Sequence, residues 1–222
     1  MAKILIVAPH MDDEVLGMGG TIARHVDNGD EVYVCIIAHR IYNHVFDKKS
    51  NDAEVDAAKK VKDIFNYHEV KFLDLPDERL DVAVQDIIIP LEKYFNKVKP
   101  EVLYINFFED NNQDHRAVFS AVRVLIRSYA SGSLKKIYMY ETPSSTEQSP
   151  PYQRSLFQAN YYVDIEDYWE KKMKAFRSYQ REKKKMPHPR SEEALKALAV
   201  KRGVESGLNL AEGFMVIRDI WK

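Results

Sequence analysis

The side chains best suited to chemistry fall in two short stretches, Pro9-His10-Met11-Asp12-Asp13-Glu14 and Asp110-Asn111-Asn112-Gln113-Asp114-His115-Arg116. Helix capping explains one acid in the first stretch, but hardly three carboxylates beside an imidazole. Like charges so close repel, and a cation would balance them. The second stretch brings a second imidazole flanked by acids. If the two stretches meet, His10, one aspartate and His115 supply three ligands and leave a fourth position open to water, as catalytic zinc sites do.

What must position them is a set of strands and helices. Short apolar runs recur at residues 3–8, 31–37, 70–73, 101–106 and 136–140, and each reads as a strand. Between them apolar residues recur at helical spacing, as at Ala53, Ala57, Val61 and Ile64. Such alternation implies βαβ units, a buried parallel sheet and a doubly wound, Rossmann-like α/β fold. The His10 stretch directly follows the first strand and leads into a helix expected to begin near Gly17. The His115 stretch follows the fourth strand and precedes a helix expected near Ala117. In a sheet of order 3-2-1-4-5 these two strands are neighbours at the switch point, and both stretches overlook one crevice.

After Tyr140 the pattern changes. A polar, proline-containing segment precedes a short strand at 161–165, a lysine-rich helix expected to run to about Lys185, a helix starting at Ser191 and running toward Gly203 or Gly207, and a last strand at 214–217. This tail is expected to roof the sheet. With no Gly- or Ser-rich linker, residues 1–222 read as one domain.

Composition narrows the function. Thirty-three basic against thirty-four acidic residues give a formal charge of −1, which favours neither nucleic acid nor an anionic membrane. No segment has the ~18 consecutive apolar residues of a membrane span. The single cysteine, Cys35, sits in an apolar run and fits a reducing, cytoplasmic setting. A homo-oligomer stays open.

The sequence resembles the PIG-L/LmbE family of metal-dependent N-acetylglucosaminyl deacetylases, with its Pro-His-x-Asp-Asp-Glu and Asp-His-Arg signatures. Further blocks in family order are Glu141-Thr142-Pro143-Ser144-Ser145-Thr146, His188-Pro189-Arg190-Ser191, Arg202-Gly203 and Ala211-Glu212-Gly213-Phe214. The resemblance implies that His10, Asp13 and His115 hold the metal and that Asp12 is the general base. Zinc is the expected ion, and Fe2+ or Mn2+ suits the same ligands. Glu14 and Asp114 suit roles orienting a ligand histidine or bracing the loop. The substrate implied is a small acetamido sugar or sugar conjugate. A metal addresses both obstacles to amide hydrolysis, the weak electrophile and the weak nucleophile.

Three positions depart from the family pattern. Asn112 stands where many members have a histidine, so it can donate to an oxyanion but cannot titrate. Asn51 replaces a sugar-binding arginine three residues before Glu54, and nearby Arg40 is the candidate substitute. Ala38-His39 replaces a glycine-containing turn. Arg190 is a candidate for sugar hydroxyls or for pairing with an acid such as Glu212. His188 is a candidate acid, with a structural hydrogen bond as the plainer alternative.

Two other readings remain at this point. Gly17-Met18-Gly19-Gly20 evokes a nucleotide-binding Rossmann module, but the strand-to-helix turn holds carboxylates that would repel a pyrophosphate. A sugar-binding family member without turnover is the other, and Asn112 is its main argument.

Overall fold

The computed structural model describes residues 1–39, 48–129, 132–153 and 156–221, with backbone alone for 48–51. Five βα-type strands form its centre: β1 (Lys3–Ala8), β2 (Glu31–His39), β3 (Glu69–Pro76), β4 (Val102–Asn106) and β5 (Lys136–Tyr140). They pair in parallel, joined by α1 (Asp13–Asp27), α2 (Lys48–Phe65), α3 (Val84–Val98) and α4 (Gln113–Leu125). The sheet order is β3-β2-β1-β4-β5-β7-β6.

Residues 4–8 of β1 are fully buried because both faces of the sheet are covered. Ile4 and Ile6 join the core beneath α1, and Leu5 and Val7 the core beneath α3 and α4. β1 pairs with β4 from Ile4↔Val102 to Val7↔Ile105. The loops that follow them therefore leave the sheet side by side, and the two reactive stretches share one edge.

Both helices that follow begin earlier than the apolar pattern suggests. α1 starts at Asp13, and α4 at Gln113, where the Asn112 side chain accepts a hydrogen bond from Asp114 N at 2.8 Å. Asp13 and His115 thus lie in first helical turns.

The tail both covers the sheet and extends it. Its strands extend the sheet, β7 (Ala211–Asp219) antiparallel to β5 and β6 (Tyr161–Asp164) antiparallel to β7, while α5 (Trp169–Phe176) packs on α1 and α2, and α6 (Glu192–Ser206) on β7. The lysine-rich helix stops at Phe176 instead of near Lys185. Its last turn tightens through Ser178 N→Ala175 O and Tyr179 N→Phe176 O, and Tyr179 turns inward to meet Glu14.

Candidate metal centre

Between β1 and α1 the chain makes a constrained turn. Asp12 holds φ 112° and ψ −28°, a left-handed backbone that a side chain makes costly and that persists only where the surroundings enforce it. Its carbonyl accepts from Val15 N and Leu16 N, and its own N–H donates to Glu14 Oε2 at 3.1 Å. Glu14 Oε1 accepts from the Tyr179 hydroxyl at 2.7 Å. Burial pushes the Glu14 carboxyl up to about 7. Glu14 therefore braces the turn from beneath.

Three donor atoms converge above it. His10 Nδ1 lies 3.2 Å from His115 Nε2 and 3.5 Å from Asp13 Oδ2, and His115 Nε2 lies 3.2 Å from Asp13 Oδ2. A tetrahedral ion with bonds of about 2.0–2.1 Å has ligand-to-ligand edges of roughly 3.3–3.4 Å, so this triangle has the size of one face of a zinc site. The donor chemistry agrees: two imidazoles and one carboxylate, gathered from the ends of β1 and β4. Asp13 Oδ1 is buried with no hydrogen-bond partner among the described residues.

Each imidazole is held from behind. His10 Nε2 stands 3.1 Å from Asp114 Oδ2, and Asp114 in turn accepts from Glu78 N at 2.6 Å and Leu80 N at 3.2 Å. His115 Nδ1 stands 3.3 Å from Asp110 Oδ2, within ion-pair range but without hydrogen-bond geometry. Asp110 accepts from Asn112 N, Thr146 Oγ1 and Ser145 Oγ. A carboxylate on the far nitrogen fixes the tautomer and orientation of an imidazole. Asp114 fits its expected supporting place. Asp110 was not singled out by sequence, although it opens the second stretch and its hydroxyl partners lie in the Glu141–Thr146 block.

The electrostatics fit a cation-holding cluster. Burial disfavours charge on both imidazoles, yet Asp114 and Asp13 outweigh it and raise His10 to about 10, as Asp13 and Asp110 raise His115 to about 9. Burial likewise opposes ionised Asp13, but the two imidazoles hold its carboxyl far below the usual range. His10 Nδ1 and His115 Nε2 face each other at 3.2 Å, where a bound ion would displace protons.

Asp12 stands apart from this triangle. Its Oδ2 accepts from Arg190 Nη1 at 2.8 Å, and the same guanidinium bonds Ser144 Oγ at 2.6 Å and pairs closely with Glu182. Burial pushes the Asp12 carboxyl up while Arg190 pulls it down. Arg190 Nη1 is thus shared between two acids instead of being reserved for sugar hydroxyls, and its acidic partners are Asp12 and Glu182, not Glu212. Glu212 pairs with Lys172.

A cleft of about 590 Å³ opens over the cluster, lined by His10, Asp12, Asn112 and Arg190 among others. The Asn112 carbonyl oxygen is committed to capping α4, which turns its amide hydrogens outward from the cap. His188 is not among the lining residues, and its Nδ1 accepts from Arg190 N at 3.0 Å, which is the plainer alternative for this residue. Glu54 lies in α2, half-buried, and lines no part of the cleft. Arg40 and the Asn51 side chain fall outside the described residues. The glycine-rich run lies inside α1 and not in the strand-to-helix turn, which removes the geometry a pyrophosphate loop needs.

Residues 5–126 match the family described as GlcNAc-PI de-N-acetylase, PIG-L. The uncharacterized deacetylase YaiS of Escherichia coli K12 is 28% identical over 150 residues, covering 64% of this chain and 75% of YaiS. The N,N'-diacetylchitobiose deacetylase of Pyrococcus horikoshii has a similar fold, with a TM-score of 0.77 at 22% identity over 98% of this chain and 84% of that one. So does GalB, the 4-carboxy-2-hydroxymuconate hydratase of Pseudomonas putida KT2440, with a TM-score of 0.78 at 21% identity over 100% and 98%. One fold thus carries two named reactions, and the side chains must decide between them.

Proposed function

The chain belongs to the PIG-L family of deacetylases, and from that premise we propose that it is a zinc-dependent enzyme that hydrolyses the acetamido group of a neutral N-acetylated sugar. The observation that carries this reading is the His10–Asp13–His115 triangle with Asp12 beside it on the same turn. An ion held by His10 Nδ1, Asp13 Oδ2 and His115 Nε2 would acidify a water and polarise the acetyl carbonyl.

Asp12 takes the proton from the attacking water. It is free for this because Asp13, not Asp12, faces the imidazoles; burial raises its carboxyl well above the usual carboxylate range, which strengthens it as a base, and Arg190 limits the rise. The Asn112 amide donates to the oxygen on which charge develops. A neutral amide has no proton to give the departing amine, so Asp12 returns the one it took. Asp110 and Asp114 keep both imidazoles aimed throughout.

The charge of the cleft supports a neutral substrate. Away from His10 and the ion, the charged residues among the described ones lining it are Asp12, Asp77, Glu78, Asp114 and Glu182, against Arg190 as sole guanidinium, itself engaged by two of them. That surface opposes a phosphate-linked sugar, and equally a carboxylate-rich substrate such as the one named for GalB. A chitobiose-like N-acetylated sugar meets no such repulsion. An amine-release assay on zinc-loaded protein, comparing neutral N-acetylated sugars with phosphate-linked ones, tests the reading. Turnover confined to neutral sugars supports it, turnover of phosphate-linked sugars alone overturns the substrate assignment, and sugar binding without turnover favours the non-catalytic alternative.

A further inference from the structure

α1 is not continuous. At Met18 the backbone leaves helical values (φ −152°, ψ 25°), and the break separates the turn carrying Asp13 and Glu14 from the rest of the helix. In an unbroken helix Gly20 N would donate to Leu16 O, four residues back. Instead Gly20 N donates to Glu212 Oε1 at 2.9 Å, and Thr21 N and Thr21 Oγ1 donate to Glu212 Oε2 at 2.7 and 2.6 Å. The carbonyl left over, Leu16 O, accepts from Lys172 Nζ at 3.0 Å, and Lys172 Nζ closes on Glu212 Oε1 at 2.7 Å. One buried ion pair thus stands inside the helix ladder, supplying the acceptor on one side of the break and the donor on the other.

Gly19 leaves room for the lysine, and Gly20 for the neighbouring Ile165. A Cβ on Gly19 would approach Lys172 Cγ to 3.0 Å, and one on Gly20 would overlap the Ile165 side chain at 2.5 Å. Glu212 and Lys172 are 4% and 5% exposed, so neither charge is shared with water. Two desolvated charges are a costly way to fill a core, and removing one leaves the other unpaired. Their geometry fixes the angle at which the first turn of α1 leaves the helix body.

We propose that Lys172 and Glu212 are positioning residues for the catalytic turn: spliced into the break in α1, they set the aim of His10, Asp12 and Asp13. This rests on the reading of that turn as the metal-holding, proton-transferring element. Lys172 lies beyond the stretch that matches the family, residues 5–126, and Glu212 in the Ala211–Phe214 block further on.

The test compares Glu212→Gln, Lys172→Met and the double variant with wild type, reading Tm, zinc affinity by calorimetry, kcat and KM, and amide hydrogen exchange across residues 10–17. Each single variant should lose Tm, since it strands a buried charge. The double variant removes both charges and should recover much of that Tm. It should still bind zinc on the order of 10-fold more weakly, the usual effect of losing a ligand's support. Its exchange across residues 10–17 should be faster, and its kcat lower at little-changed KM. A double variant with recovered Tm and wild-type zinc affinity, exchange and kcat would make the pair purely structural and overturn the proposal. If wild type binds zinc but releases no amine, the deacetylase reading fails alone. Zinc affinity and exchange then still decide the positioning role.

Discussion

Asp12 Oδ2 and Arg190 Nη1 stand 2.8 Å apart although 178 positions separate them in the chain. Burial pushes the Asp12 carboxyl well up and the guanidinium opposes that shift, so Arg190 limits how high the pH must be before Asp12 can act as a base. Arg190→Ala should raise the Asp12 pKa, leave less of it ionised at neutral pH, and move the acidic limb of the kcat/KM profile to higher pH. Arg190→Lys should move it less. A pH–rate series on the three proteins checks this, and an unmoved acidic limb in Arg190→Ala would detach Arg190 from the base.

The two adjacent aspartates should separate cleanly. Asp13 Oδ2 lies against both imidazoles, whereas Asp12 points to Arg190. Asp13→Ala should lose the metal. Asp12→Asn should keep it while kcat falls by ~10²-fold to ~10⁴-fold, the contribution of a positioned proton-transfer group. Metal content and rate on both variants decide the matter, and the opposite pattern would reverse the two roles.

Asn112 has two jobs that substitutions can divide. Its oxygen caps α4, and its amide hydrogens are the oxyanion donor in the proposed reaction. Asn112→Ala should lose about 1 kcal/mol of stability with the cap, together with roughly 3–4 kcal/mol of transition-state stabilisation. Asn112→Ser restores a capping oxygen but is too short to donate across the cleft, so Tm should recover and kcat should not. An unchanged kcat in Asn112→Ala would remove this residue from the reaction.

Metal affinity should rise with pH. In the metal-free site the carboxylates raise His10 to about 10 and His115 to about 9, so binding an ion displaces protons. Affinity should climb between about pH 6 and pH 8, by one to two protons released, and level off above the raised values. The same shifts give the opposite trend for the metal-free fold. Groups raised above their ordinary 6.5 stabilise it most below that pH, and the contribution is lost as pH climbs through about 9 and 10. Calorimetric zinc titrations at several pH values, with Tm of the chelated protein alongside, read both trends.

The centre of this molecule was legible in sequence for a physical reason. His10 and the two aspartates directly follow β1, His115 sits in the first turn of the helix after β4, and parallel pairing of β1 with β4 brings those ends together, while the choice of Asp13 over Asp12 comes from the family resemblance. Contacts made across the fold left no such trace. Glu212 looked a fair partner for Arg190, but the broken helix claims its carboxylate, and Arg190 goes to Asp12 and Glu182. The lysines after Phe176 read as more helix because no local pattern reveals that Tyr179 must reach Glu14. Likewise nothing in the spacing of Ser145 and Thr146 announces that their hydroxyls hold Asp110 behind His115.

The central claim is metal-dependent deacetylation at the His10–Asp13–His115 triangle. It is tested most directly by measuring acetate release from N,N'-diacetylchitobiose as zinc is removed from the protein by chelation and then titrated back. The expected result is a rate that vanishes with the metal and returns in proportion to zinc bound, saturating at one ion per chain. Acetate release that continues undiminished in the metal-free protein would contradict the account.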